Sequence, residues 1–367
     1  MTVPEPFSEL HSELNPAVDG ALAEFLQRRR VELTAMEPRL PAAADRIAGF
    51  LAGGKRIRPG FCWWGWRAGG GRAEIADCAP VVRVAAALEL IQACALLHDD
   101  LIDRSETRRG RPSVHRAEAK VHVDGGWAGD ADHFGTSMAL LLGDLALAWA
   151  DDVFVTGASQ LRALERAQPV WQSMRTEVLA GQILDVLSVA DPGVDPAAQR
   201  QDALAVIRMK TAGYTVTGPL LLGAALAGAD AGTVERLRGY GDAVGTAFQL
   251  RDDLLGVFGD PDVTGKPAGD DLREGKRTVL LAIARKDLLE SGRSAVLAEL
   301  DAGLGSVGTP AALDRMREIL CSTTAPVQTE QQITELVAVG TALLDGLPAA
   351  VAGALSELAT RSTDRHR

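Results

Sequence analysis

His98-Asp99-Asp100-Leu101-Ile102-Asp103 closes the apolar run Val81–Leu97 and is followed by Arg108-Arg109-Gly110. The run reads as a buried helix. Asp99 and Asp103 are four apart, so a helix places them on one face. Carboxylates crowded at the end of an apolar helix repel one another and are costly to bury unpaired. A divalent cation resolves the repulsion, and an all-oxygen set suits Mg2+ holding a substrate phosphate. The two arginines then read as diphosphate clamps. A lone Asp-Asp-x-x-Asp is as readily a solvated helix end with surface ion pairs, so the rest of the chain has to decide.

A second cluster, Gln249-Leu250-Arg251-Asp252-Asp253, follows the apolar helical stretch Tyr240 to Phe248. After it comes a loop rich in Gly, Asp and Lys, Gly265-Lys266-Pro267-Ala268-Gly269-Asp270-Asp271, ending in Lys276-Arg277. Two acidic helix ends about 150 residues apart can face each other across one pocket and share metals. A third signal is the dense basic turn Gly53-Gly54-Lys55-Arg56-Ile57-Arg58-Pro59. Each is weak alone; in this order they are specific.

The fold class follows from composition and spacing. Apolar residues make up 47% of the 367, but aromatics only 4%, and alternating Val, Ile and Thr runs are scarce. That argues against sheet. Ala79–Leu101, Thr136–Val155, Val170–Val189, Asp202–Ala229 and Val234–Leu255 carry helical spacing. Pro80 suits the first turn of a helix, with Asp77 ahead of it as a candidate cap. The expectation is an all-α, single-domain bundle of long helices around a central apolar cavity, spanning residues 21–359. Residues 1–20 and 360–367 read as flexible ends, and His122 to Phe134 as an irregular surface insertion.

A formal charge of −11 argues against a nucleic-acid partner. The four cysteines, Cys62, Cys78, Cys94 and Cys321, form no metal pattern and read as thiols of a reducing compartment. Neither a secretory apolar segment near Met1 nor a run long enough to span a bilayer is evident, so a soluble cytoplasmic protein is expected.

With these motifs in hand, the chain resembles the trans-isoprenyl diphosphate synthases, the polyprenyl synthetase family. The resemblance covers roughly residues 45 to 290 by motif. Asp99-Asp100-x-x-Asp103 matches the family's first aspartate-rich motif and Asp252-Asp253 the second, except that Gly256 stands where many relatives have a third Asp. The resemblance implies a Mg2+-dependent prenyltransferase that condenses isopentenyl diphosphate with an allylic diphosphate (dimethylallyl, geranyl or farnesyl), commonly as a homodimer. It implies three Mg2+ ions: Asp99 and Asp103 hold two, supported by Asp100, and Asp252 holds another, with Asp253 nearby. Arg108, Lys210 and Lys266 would contact the allylic diphosphate, with Thr211 beside Lys210. Lys55, Arg56, Arg58 and Arg109 would form the isopentenyl diphosphate site. Gln92 stands where many relatives have His, and its amide can donate to a phosphate oxygen or be a core amide. Phe248 and Gln249 match the Phe-Gln before the second motif; the Phe248 ring can face a cation or simply fill the core. Lys276 can close over the site or lie on the surface. His98 and His115 read as structural.

Product length is read from helix pitch. One turn rises about 5.4 Å, close to one isoprene unit, so side chains before Asp99 act as a ruler. Ala95, Cys94 and Ile91 stand four, five and eight residues before it. In the family an aromatic at the first two positions shortens the product. Both are small here, so geranylgeranyl diphosphate (C20) is expected, with a C25 or longer product as the alternative. A class I terpene cyclase would have no use for the basic turn at Lys55–Arg58, and a non-catalytic partner subunit would be expected to lose its acidic motifs.

Overall fold

The computed structural model describes residues 6–191, 195–259 and 269–363. In chain order the helices are α1 (Pro6–Met36), α2 (Pro41–Leu51), α3 (Ile57–Ala68) and α4 (Ala79–Ile102). A hairpin of two-residue strands, β1 (Thr107–Arg108) and β2 (Arg111–Pro112), leads to α5 (Val114–Asp124), α6 (Ala131–Gln160) and α7 (Leu164–Ala190). Next come α8 (Pro196–Val206), a π-helical segment (Ile207–Thr217), α9 (Gly218–Ala227) and α10 (Ala231–Phe258). The short α11 (Asp270–Glu274) is followed by α12 (Val279–Glu290), α13 (Ser294–Gly303), α14 (Pro310–Cys321), α15 (Ala325–Ala342) and α16 (Ala349–Thr363). This is an all-α bundle of long helices, consistent with the isoprenoid synthase fold.

Two compact units share these elements. One comprises residues 1–170 and 219–233, the other 171–218 and 234–367. In the first, α4 is the axis, packed by α6, α3 and α1. Val81, Val84, Leu88, Leu90 and Ile91 are all buried, as expected of a helix that is apolar nearly all round. Each such side chain contributes about 1.5–3 kcal/mol on burial. By length and composition α4 could cross a membrane, but 72% of its most apolar window is buried inside the protein. Pro80 starts the helix, whereas Asp77 belongs to a preceding 3-10 turn, and Cys78 takes the N-cap position without a side-chain capping bond. Ser or Asp at that position is optional when packing already fixes the helix.

Two segment expectations are corrected. Residues 1–20 are not a flexible end throughout: α1 begins at Pro6, and Leu14 and Val18 are fully buried. Leu14, Val18, Leu22 and Phe25 recur at helical spacing, so α1 has an apolar stripe to bury. His122 to Phe134 is not an irregular insertion. It ends α5, turns, and starts α6 under an Asp130 cap that accepts from the His133 N–H. Edge-to-face packing of His122, Trp127 and Phe134 closes the turn. At the other end, α16 runs to Thr363.

In the second unit α12 is the buried axis, contacted by α8, α15 and α13. Leu280, Leu281, Ile283, Ala284 and Leu288 join Leu250, Leu254, Leu300 and Leu320 in its core. Thr278 caps α12, accepting from the Leu281 N–H.

Candidate active site

The first acidic helix end receives a cation from its own hairpin. Arg108 on β1 donates through Nε to Asp100 Oδ1 at 2.8 Å and through Nη2 to Asp99 Oδ2 at 3.4 Å. Burial pulls the Arg108 guanidinium down, but Asp100 and Asp99 outweigh it and hold it above its ordinary value. Asp100 is 1% exposed, while Asp99 and Asp103 are half-buried. Arg109 and Gly110 both have positive φ (54° and 71°), which is the backbone of a type I′ hairpin turn. That turn points Arg109 away from its neighbour. A Cβ built on Gly54 would lie 3.8 Å from Arg109 Nη2, so the second arginine reaches the basic turn. There Lys55 is exposed and Arg58 half-buried. Arg56 departs from the expectation of a diphosphate ligand: its side chain is buried and ion-paired with Glu89 at 2.6 Å and Asp19 at 2.6 Å. An arginine in a basic turn looks alike in sequence whether it faces a ligand or the core.

One and two turns before the first rim, Cys94 and Ile91 are buried and Ala95 is half-buried. Burial pushes the Cys94 thiol up to about 12. Gln92 is half-buried on the same helix. His98 sits against the Leu140 carbonyl at 3.2 Å and His115 against Ser113 at 3.1 Å, in keeping with structural roles.

The second acidic helix end is organised by hydrogen bonds. Thr211 Oγ1 donates to Gln249 Oε1 at 2.7 Å, and Gln249 Nε2 donates to Asp253 Oδ1 at 2.7 Å. Asp253 is buried. Burial, with Asp271 and Asp252 nearby, pushes its carboxyl up to about 8 against the pull of Gln249 and Lys276. Asp252 and Phe248 are half-buried. Arg251 faces the other way, donating to both Glu330 oxygens and through Nε to the Thr363 carbonyl at 2.8 Å, which ties α10 to α15 and α16. Lys276 lies 3.6 Å from Asp271. Lys266 falls outside the described residues.

Lys210 and Thr211 lie in the π-helical segment, a wide-turn geometry that recurs at functional sites. Lys210 Nζ donates to Asp185 Oδ2 on α7 at 2.7 Å. The segment is gripped closely on two sides. A Cβ at Gly181 of α7 would come within 2.6 Å of the Lys210 backbone, and one at Gly245 of α10 within 2.7 Å of Ala212. Larger residues at either position would push the segment away.

Sequence reasoning missed Asp185 and Asp271. Asp185 is signalled by a charge on α7 four residues after the close-packing Gly181. Asp271 accounts for the departure at Gly256: a Cβ there would lie 2.0 Å from Asp271 Oδ2, so the α11 carboxylate occupies the space of the absent side chain.

The donor sets fit Mg2+ that is partly ligated by substrate and water. Asp99, Asp100 and Asp103 bring three carboxylates to one helix end, Arg108 pairs with Asp99 and Asp100, and Asp100 Oδ2 is buried without a hydrogen-bond partner. Among the described residues no three His, Cys, Asp or Glu side chains enclose a metal by themselves. Mg2+ characteristically binds through one or two carboxylates plus phosphate and water.

Residues 40–300 match the family model described as polyprenyl synthetase. The chain is 36% identical over 252 residues to a geranylfarnesyl diphosphate synthase of Aeropyrum pernix, covering 66% of the chain and 71% of that relative. It is 36% identical over 241 residues to a geranylgeranyl diphosphate synthase of Mycobacterium tuberculosis, covering 66% of the chain and 61% of that relative. Among solved structures it is similar to geranylgeranyl pyrophosphate synthase from Corynebacterium glutamicum, complexed with isoprenyl diphosphate and magnesium. The TM-score is 0.90 and the identity 41%, covering 97% of this chain and 99% of that one.

Proposed function

The chain belongs to the polyprenyl synthetase family, and on that footing we infer that it is a magnesium-dependent trans-prenyltransferase that condenses isopentenyl diphosphate with an allylic diphosphate, with geranylgeranyl diphosphate as main product. The observation that carries the reading is Arg108 held against Asp99 and Asp100 at the end of α4, with Asp103 at its C-cap.

Asp99 and Asp103, supported by Asp100, are proposed to hold two Mg2+ and Asp252, with Asp253, a third. Bound there, the metal would supply positive charge against that developing on the departing diphosphate. Arg108, Lys210 and Lys266 would hold that allylic diphosphate, with Thr211 and Gln249 fixing the second motif's hydrogen bonds. Lys55, Arg58 and Arg109 would hold isopentenyl diphosphate, with Gln92 as an amide donor. The apolar face of α4 before Asp99 excludes water from the allylic carbocation, and the Phe248 ring would stabilise it. The double bond of isopentenyl diphosphate then attacks, and a proton is lost. Lys276 would close over the site. The starters are dimethylallyl, geranyl and farnesyl diphosphate. The exposed Leu140 and Leu141 on α6 suit a homodimer contact, and a cytoplasmic location is part of the reading we propose.

A C25 product is the second reading. It is favoured by the equal 36% identity to a geranylfarnesyl diphosphate synthase and by the small Cys94 and Ala95. The test is labelled isopentenyl diphosphate with each starter and Mg2+, followed by product chromatography. A C20 product is expected from all three starters. Hydrocarbon formed from geranylgeranyl diphosphate alone would mark a cyclase, and a main C15 product would overturn the chain-length reading.

A further inference from the structure

The basic turn holds one cation that is not available to a ligand. Arg56 is at the N-cap of α3 with φ 49°, a left-handed backbone uncommon outside glycine. Its guanidinium is consumed by protein. Nε donates to Asp19 Oδ1 of α1 at 2.8 Å, Nη1 to Glu89 Oε2 of α4 at 2.6 Å, and Nη2 to the Leu51 carbonyl at the end of α2 at 2.8 Å. Four elements of one unit thus meet at a single side chain. Glu89 lies in the apolar run of α4 and is itself buried, ten residues before Asp99 and three before Gln92. A buried carboxylate is tolerated when paired and costly when not. The site of a Gly54 Cβ is 3.7 Å from Arg56 Nη1 and 3.8 Å from Arg109 Nη2, so two guanidinium groups flank the turn. Among the described residues, carboxylate partners stand against Arg56 alone of the two.

We propose that Arg56, Glu89 and Asp19 form a positioning device for the homoallylic substrate: Arg56 does not bind the diphosphate but pins the Gly53–Pro59 turn to α4 and α1, which sets Lys55 and Arg58 for it. The proposal rests on the reading of Lys55, Arg58 and Arg109 as the isopentenyl diphosphate site. Glu89 and Asp19 have a double task. They fix the fork of Arg56 by two-sided hydrogen bonding, and they cancel its charge, which leaves Arg109 as the cation that faces the ligand. Burial lowers the tendency of Arg56 to stay charged, but Glu89 and Asp19 outweigh it and hold the group above its ordinary value.

The experiment measures KM for isopentenyl diphosphate and for farnesyl diphosphate separately, with Mg2+ saturating, on the full chain. The variants are Arg56→Ala, Glu89→Gln, Asp19→Asn and the double variant Arg56→Ala/Glu89→Gln, with Lys55→Ala as control. Each single variant is expected to raise KM for isopentenyl diphosphate by roughly tenfold, since small misplacements of binding groups have effects of that order or more. KM for farnesyl diphosphate and kcat should stay within about twofold, and the double variant should be no worse than Arg56→Ala alone. If Glu89→Gln leaves KM for isopentenyl diphosphate unchanged or lowers it while Arg56→Ala raises it, Arg56 is itself a ligand and the proposal is overturned. If all variants shift kcat and both KM values together, the role is merely structural and the proposal is equally overturned. If Lys55→Ala leaves KM for isopentenyl diphosphate unchanged, the site reading falls and takes the device with it. Asp19 is half exposed, so Asp19→Asn keeps the proposal falsifiable should the Arg56 variants fail to fold.

Discussion

The two acidic helix ends solve the same electrostatic problem in different ways. At the end of α4, the buried carboxylate Asp100 is matched by a full positive charge, Arg108, supplied nine residues or fewer along the chain. At the end of α10, the buried carboxylate Asp253 receives a neutral amide from Gln249, with Asp271 and Asp252 adding repulsion. An ion pair offsets burial of the charge; a single amide donor does not, and the carboxyl is driven toward its protonated form. The buried carboxylate of the first end is therefore matched by a protein cation, and that of the second is left to be matched by added positive charge. The basic turn and the second acidic motif each spend an arginine on scaffolding. Arg56 turns into the core of one unit and Arg251 onto α15 and α16 of the other.

The largest stability effect should come from breaking the ion pair at the first end. Arg108→Ala leaves Asp100 buried with no countercharge, a change that costs about 3–5 kcal/mol. Chemical denaturation should show it as a lowered midpoint at an unchanged slope. A loss under 1 kcal/mol would mean that Asp100 finds water or another donor, and the contrast between the two ends would collapse.

A smaller effect separates them by pH. Asp253 has a folded-state pKa of about 8, above the ordinary carboxylate value near 4. A group raised on folding stabilises below its unfolded pKa, and that contribution is lost as pH rises through the folded pKa. With divalent cations chelated, Tm should therefore fall between about pH 4 and pH 8. Asp253→Asn should flatten this slope and raise Tm at pH 8. An unchanged slope in that variant would show that the burden lies on another group.

The gentlest change concerns α4 alone. Ala95→Phe should shift the product toward C15 with Mg2+ dependence and stability little altered. Identical product profiles would remove the ruler from this face of α4, while leaving the metal reading intact.

What the sequence makes legible is whatever repeats locally. The helical period of α4, α6 and α10 and the order of the three motifs can be read directly. The inward turn of Arg56 cannot, because its partners lie 33 and 37 residues away in sequence. Glu89 in an apolar run was the one hint. The π-helical segment hides inside Asp202–Ala229, where apolar residues are too dense for 3.6- and wider-turn periods to differ. Asp271 beside Gly256 is likewise a contact between distant segments, visible only as a missing side chain and a spare carboxylate. The buried stripe of α1 is legible in principle, since Leu14, Val18 and Leu22 recur at helical spacing.

The central proposal is that the metal-dependent condensation requires both acidic motifs. It is tested most directly by kcat of Asp99→Ala and Asp252→Ala, each at saturating Mg2+, isopentenyl diphosphate and farnesyl diphosphate. Both variants are expected to lose on the order of 10²–10³ or more in turnover, as charge stabilisation of the leaving diphosphate is removed. Near-native turnover in either variant contradicts the claim.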